Sequence, residues 1–114
     1  MYDLEVKKEF IVIRGSDIID EVEATKLCDQ VVDLLADSEA NKLLLDVTKV
    51  DLEKSNFDVF IQALSKLELD KIALVLEELI SQFKFNLWRR KYRKYVTIEQ
   101  FSLLTSAQEW LGEE

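Results

Sequence analysis

The feature that most constrains the fold of this chain is the alternation of short apolar runs with amphipathic segments of helical period. Five strands are predicted from these runs, over residues 3–7, 9–14, 43–48, 72–76 and around 96–101. Gly15 and Ser16 are expected to end the second strand. The third and fourth runs are apolar almost throughout, which is typical of strands covered on both faces of a sheet.

Four helices are predicted between and after these strands. The first begins at Asp20, because Glu23 three residues later gives the spacing of a capping box, and it ends near Asp37. Its apolar face is expected to contain Val22, Leu27, Val31, Leu34 and Leu35. The second helix begins at Ser55 and ends near Leu67. A third is predicted between residues 79 and 95, and a short last one around residues 107–111.

The resulting element order, ββαβαβαβα, predicts one α/β domain over residues 1–114. Strands that are separated by helices become parallel neighbours joined by right-handed crossovers. The fold class expected is therefore an open, mixed but mostly parallel sheet of about five strands with about four helices and one antiparallel edge. A length of 114 residues without proline or low-complexity sequence agrees with a single domain.

Composition excludes several classes of function. The chain has no histidine, which removes the commonest general base and the commonest zinc ligand. Its two glycines, Gly15 and Gly112, cannot form a glycine-rich phosphate loop. Neither a cofactor nor a metal ion is expected, and no catalytic group of residues is recognisable. The first ten residues do not have the pattern of a signal peptide, and the cysteine at position 28 has no second thiol to pair with, so a cytoplasmic location is expected.

Charge is unevenly distributed along the chain. The net charge of −8 disfavours nucleic-acid binding. Residues 79–98 nevertheless contain no acid and carry +6, leaving −14 on the remainder. Within the predicted helix 84–95, Trp88, Arg89, Arg90 and Tyr92 suit a lipid or anionic membrane surface, an acidic protein or a single nucleic-acid strand. The alternative is that this helix covers a sheet edge and pairs with the chain's own acids.

Two carboxylates and one thiol are further candidates for a site. Asp46 and Asp51 flank the predicted end of the third strand, where ligands bind in open α/β sheets. They are expected to form turns or to line a ligand or partner surface, and an acid–base or magnesium role would need a third group. Cys28 lies in the apolar face of the first helix and is interpreted as a core residue.

The element order and sizes resemble the STAS-like family, which includes anti-sigma-factor antagonists and is grouped with CRAL-TRIO lipid-transfer domains. The segments that carry the resemblance are Leu43–Thr48, Lys71–Val75 and the closing pattern of Phe101, Ala107, Trp110 and Leu111. The resemblance covers essentially the whole chain. It implies a bacterial regulatory or protein-interaction module, with a protein partner or a homodimer. The alternative it allows is a carrier or sensor of a lipid or other small apolar ligand.

The resemblance also implies a role for Ser55. In the antagonists a phosphorylatable serine begins the helix after a strand that ends in Asp or Asn, and Ser55 occupies that place nine residues after Asp46. The sequence departs from the usual pattern, because it reads Lys54, Ser55, Asn56 without the preceding acid or the following glycine. A purely structural role is the alternative, since a serine hydroxyl caps helix starts well.

Overall fold

The structure is a computed structural model that describes residues 2–7, 9–18, 20–51, 64, 67, 69–76 and 97–112. These residues contain five strands and two helices, in the order β1 (Tyr2–Val6), β2 (Phe10–Asp17), α1 (Glu21–Ala36), β3 (Lys42–Val50), β4 (Lys71–Val75), β5 (Thr97–Phe101) and α2 (Leu104–Leu111). The five predicted strands are confirmed. Of the four predicted helices, the first and the last are found, and the two between them fall outside the described residues except for Leu64 and Leu67. No helix in the described ranges is both long enough and apolar enough to cross a membrane.

The strands form one sheet in sequential order, from β1 at one edge to β5 at the other. β1 runs antiparallel to β2, and every other neighbouring pair is parallel, as predicted. α1 joins β2 to β3, which are parallel neighbours, so it serves as the crossover between them. Because β2, β3, β4 and β5 are parallel, their carboxyl ends lie side by side along one end of the sheet. This line of strand ends is called here the carboxyl edge.

Alternate residues of the strands contribute to two apolar clusters, one on each face of the sheet. On the face covered by α1, odd-numbered residues of β2 and β3 such as Ile11 and Leu45 pack with Leu27 and Val31 of the helix. On the opposite face, even-numbered residues of β2 and β3 form a cluster with α2 and with odd-numbered residues of β4; the strand residues of this cluster are Phe10, Val12, Leu44, Ala73 and Val75. The two-residue period of a strand explains why a nearly continuous apolar run such as Leu43–Leu45 is needed in β3, since both of its faces are covered.

The start of α1 agrees with its predicted cap, but its apolar face differs from the prediction. Asp20 is the N-cap residue, and its Oδ1 accepts a hydrogen bond of 2.8 Å from the backbone N–H of Glu23. The buried residues of the helix are Ala24, Leu27 and Val31. Val22 was expected among them but is 64% exposed. Nine residues separate Val22 from Val31, which is two and a half helical turns, so the two side chains lie on opposite sides of the helix.

β2 continues beyond the residues that were expected to end it. Gly15 and Ser16 are part of the strand, which ends at Asp17. The reason is pairing with β3: Arg14 pairs with Asp46, and Ser16 pairs with Lys49 after a register shift. β3 therefore has one more residue than β2 over this stretch, which is a β-bulge. The prediction that Gly15 and Ser16 end the strand was wrong because strand length depends on a partner distant in sequence.

α2 is held on the sheet by its ring contacts and by two lysines. The side chains of Phe101 and Trp110 lie with their ring centroids 5.5 Å apart, and Ala107 and Leu111 are fully buried against the sheet. The Nζ of Lys42 donates to the carbonyl of Leu111 at 3.0 Å, and that of Lys71 donates to the carbonyl of Trp110 at 3.2 Å. These cations satisfy carbonyls at the carboxyl end of the helix, where positive charge is favourable.

Candidate functional site

The carboxyl edge of the sheet is where open α/β folds bind ligands, because the loops that leave adjacent strands diverge there. Backbone hydrogen bonds join the ends of neighbouring strands at this edge. The N–H of Asp51 donates to the carbonyl of Asp17 at 2.6 Å, and the N–H of Leu76 donates to that of Phe101 at 2.9 Å. Asp17 has a φ of 61°, a left-handed conformation that aspartate tolerates better than most residues. It redirects the chain from β2 towards the start of α1.

Asp46 has a defined structural role in β3. Its Oδ1 accepts a hydrogen bond of 3.1 Å from the backbone N–H of Thr48 and one of 2.7 Å from the Thr48 hydroxyl. These bonds lie at the bulge, where one residue of β3 is not opposed by a residue of β2. The bulge changes the alternation of the strand, so that Val50 rather than Lys49 packs into the cluster on the α1 face. Asp46 was expected to flank the end of the strand, but it lies within β3, where its hydrogen bonds support a bulge.

A cleft lies next to Asp46, on the part of the sheet that α2 leaves uncovered. It has a volume of about 300 Å³ and is formed by β1, β2 and β3. Its polar lining groups include Asp3, Arg14, Ser16, Asp46, Thr48 and Lys49. α2 contacts β3, β4 and β5, which explains why the opening lies towards β1. The cleft thus combines two acids, two bases and two hydroxyls from three strands.

An ion-pair group borders this cleft on β1 and β2. The Glu5 carboxylate lies 3.1 Å from Lys7 Nζ and 3.1 Å from Arg14 Nη1. Hydrogen bonds first from Lys7 and then from Arg14 lower the pKa of Glu5 below its usual value, because they stabilise the ionised carboxylate. Arg14 is thereby held towards Glu5, although its register partner on β1 is Asp3.

The structure does not bring the two predicted aspartates into one site. Asp46 lines the cleft within β3, whereas Asp51 follows the end of that strand and is not among the cleft's lining residues. No group of three Asp, Glu, His or Cys side chains that could hold a metal ion occurs in the described part of the chain.

Cys28 is half-buried on α1 and packs against the core cluster of that face. Burial, together with the nearby charge of Asp29, raises the pKa of its thiol to about 11. The thiol is therefore protonated near neutral pH and is a poor nucleophile, which agrees with its interpretation as a core residue.

The remaining predicted site residues lie outside the described residues. These are Ser55 and the four residues of the predicted basic helix, Trp88, Arg89, Arg90 and Tyr92. Conversely, sequence reasoning missed Asp3, Arg14 and Lys49 as groups of the cleft. The one available signal was the alternation of charges in β1, with an arginine directly after the apolar run of β2. That pattern does not show which strands become neighbours.

Comparisons with known proteins address the fold as a whole. No protein-family model and no curated protein sequence matches the chain. Among solved structures, an uncharacterized protein with a SpoIIAA-like fold from Shewanella loihica PV-4 superimposes with a TM-score of 0.69 at 13% identity, over 97% of this chain and 92% of that protein. The unphosphorylated anti-sigma factor antagonist SpoIIAA superimposes with a TM-score of 0.66 at 10% identity, over 98% of this chain and 99% of SpoIIAA.

The chain folds as a STAS-like domain. The phosphorylated form of SpoIIAA, a Bacillus cell fate determinant, is also similar, with a TM-score of 0.60 at 11% identity over 97% of this chain and 99% of that one. The predicted resemblance to the STAS-like family is thus confirmed at the level of the fold. Because these identities are low, the likeness extends to architecture and to the order of strands and helices, and it carries no residue-level assignment.

Proposed function

We propose that this chain is a non-catalytic regulatory module of the bacterial cytoplasm that binds a protein partner at the carboxyl edge of its sheet. The observation that carries this proposal is the end-to-end similarity to the anti-sigma factor antagonist SpoIIAA, which covers 98% of this chain and 99% of SpoIIAA. Similarity over the whole of both chains supports a module of the same kind.

Exposed aliphatic side chains at the carboxyl edge support a protein contact there. Ile18 and Val22 are 42% and 64% exposed, and they lie where the chain leaves β2 and begins α1. Asp20 and Glu21 are exposed beside them. Aliphatic groups with an acidic border suit a partner surface that offers apolar side chains together with lysine or arginine.

Ser55 is the proposed regulatory position. It follows Asp51, the residue that leaves β3 at the carboxyl edge, by four residues in the sequence. A phosphoryl group on Ser55 would add about two negative charges to a segment that follows closely after Asp51 in the sequence. The expected consequence is a change in partner affinity.

The experiment immobilises the chain and measures which protein it captures from a lysate of the source cells. Variants of two exposed valines of α1 are compared with the wild-type chain. Val22→Arg is expected to abolish capture of the partner retained by the wild-type chain, because a charge is placed in the contact. Val32→Arg is the matched control, since Val32 is also exposed on α1 but lies ten residues, or about 15 Å, further along the helix. Equal capture by both variants would contradict the proposed surface.

Two further measurements separate the alternatives. Ser55→Asp is expected to change capture while Ser55→Ala does not, and identical capture by both would remove Ser55 as a switch. Native mass spectrometry of the purified chain tests the carrier hypothesis, because a co-purified apolar molecule would favour a lipid or apolar-ligand carrier over a protein-binding module. The same spectra report whether the chain forms a homodimer.

A further inference from the structure

The cleft on the α2 face contains a row of three charged residues contributed by three neighbouring strands. Asp3 on β1 is the register partner of Arg14 on β2, and Arg14 is in turn the register partner of Asp46 on β3. Directly paired residues point to the same face of a sheet with Cβ atoms about 5 Å apart. The row therefore places an arginine between two carboxylates on the floor of one cleft.

Arg14 does not neutralise both of these carboxylates. Its Nη1 lies 3.1 Å from Oε2 of Glu5, which is two residues beyond Asp3 on β1. Among the described residues the Asp3 carboxylate has no hydrogen-bond or ion-pair partner, and Asp3 is exposed. Asp46 uses Oδ1 for Thr48, while its Oδ2 accepts nothing from the described part of the chain. Acceptor capacity for a cation thus remains at both ends of the row.

Lys49 supplies the opposite charge at the other end of the cleft. It pairs with Ser16, which is two residues beyond Arg14 on β2 and so about 7 Å further towards the carboxyl edge. The bulge in β3 is what places Lys49 on this face, because the extra residue reverses the alternation after Asp46. Within the described ranges Lys49 forms no ion pair, so its ammonium can bind an anion.

We propose that this cleft binds a small zwitterion whose cationic and anionic groups are separated by a short carbon chain. The cation would contact Asp46 Oδ2 and would be attracted by Asp3 across the strand of Arg14, and the anion would contact Lys49. A purely anionic ligand would be repelled by the two carboxylates, and a purely cationic ligand would leave Lys49 unpaired beside it. A volume of about 300 Å³ is at the lower end of the range for small-molecule sites and suits a molecule of amino-acid size. This proposal does not depend on the protein partner proposed above.

The test is a titration of the full chain with 5-aminovalerate, followed by nitrogen–proton correlation NMR. Pentylamine and pentanoate, which carry the same chain with only the cation or only the anion, are titrated in parallel. Saturable shifts are expected for 5-aminovalerate at the amides of Gly15, Asp46 and Lys49, with at least about tenfold weaker binding of both single-charge compounds, because each lacks one charge-assisted contact. Equal binding of all three compounds, or no saturable shift, would overturn the proposal.

Variants that should not disturb folding complete the test. Asp3→Asn and Lys49→Met are each expected to weaken 5-aminovalerate binding about tenfold, and the two side chains have no structural partner in the described residues. Asp33→Asn and Lys26→Met are the matched controls, because they make the same changes at exposed positions of α1. If the cleft variants bind as well as the controls, the cleft is not the site.

Discussion

The two faces of the sheet are built from alternate residues of the same strands, yet the described part of the chain covers them to different extents. The α1 face carries the larger apolar cluster, which extends from Ile11 on β2 to Ile98 on β5. The opposite face is covered by α2 over β3, β4 and β5, and towards β1 it carries the charged groups of the cleft. The comparison teaches that a strand can be buried on both faces at one point and present a polar site a few residues later.

The largest expected effect concerns two adjacent buried leucines of β3, one on each face of the sheet. Leu45→Ala on the α1 face and Leu44→Ala on the α2 face should each lower the free energy of unfolding by about 2–5 kcal/mol, because both side chains are fully buried and leave cavities. Urea unfolding measures both values.

Val22→Ala is the control for this pair. It should change the free energy of unfolding by less than about 0.5 kcal/mol, because Val22 is exposed. A much smaller loss for Leu44→Ala than for Leu45→Ala would mean that α2 covers its face only loosely.

The next effect concerns the bulge in β3. Asp46→Ala removes both hydrogen bonds to Thr48, and it should lower the free energy of unfolding by about 1–2 kcal/mol. Asp3→Ala, also an acid of the cleft but without a described partner, should leave stability within about 0.5 kcal/mol of wild type. Equal stabilities of the two variants in urea unfolding would show that Asp46 does not hold the bulge.

A smaller effect is expected where α2 is attached to the sheet. Lys71→Met removes a hydrogen bond to the Trp110 carbonyl and a cation placed 4.8 Å from the centroid of the Trp110 ring. The expected loss is about 1 kcal/mol, with faster amide hydrogen exchange confined to α2. Lys49→Met serves as the control and should change neither quantity. Unchanged exchange in α2 for Lys71→Met would contradict the anchoring role of this lysine.

The smallest effect is visible only in alkaline solution and reports on the α1 face. The thiol of Cys28 should titrate with a pKa of about 11 in the native protein, against 9.0 for an unperturbed thiol, when thiolate absorbance is followed with pH. Since the native state holds the proton more tightly, this group's contribution to stability is complete below about pH 9 and is lost as the pH rises towards 11.

A urea-denatured sample gives the reference titration for Cys28, and the absorbance change of Cys28→Ser is subtracted from that of the wild type to isolate the thiolate, because tyrosine also absorbs in this region in alkaline solution. A native midpoint at or below that of the denatured sample would show that the thiol is not desolvated on the α1 face.

These comparisons separate what local sequence patterns predict well from what they do not. The cap at Asp20 and the five strands follow from spacing along the chain, and the structure agrees with them. The end of β2 and the exposure of Val22 were predicted wrongly. The first depends on pairing with β3, and the second depends on how α1 is rotated against the sheet.

The candidate site was predictable only in part. Asp46 was singled out because it lies near the predicted end of the third strand, where ligands bind in open α/β sheets. Its neighbours in the cleft, Asp3 and Lys49, are ordinary surface residues when read along the chain. They share a site with Asp46 because β1, β2 and β3 are adjacent and because one extra residue in β3 reverses its alternation.

The sequence by itself determined the element types and their order, and hence an α/β domain, because hydrophobic periodicity and helix capping act between residues close together in the chain. Only the tertiary structure decided which part of the sheet α2 leaves open, where the bulge falls and which charges meet in the cleft. Those features arise from strand register and from the coverage of each face, which depend on contacts between residues far apart in the sequence.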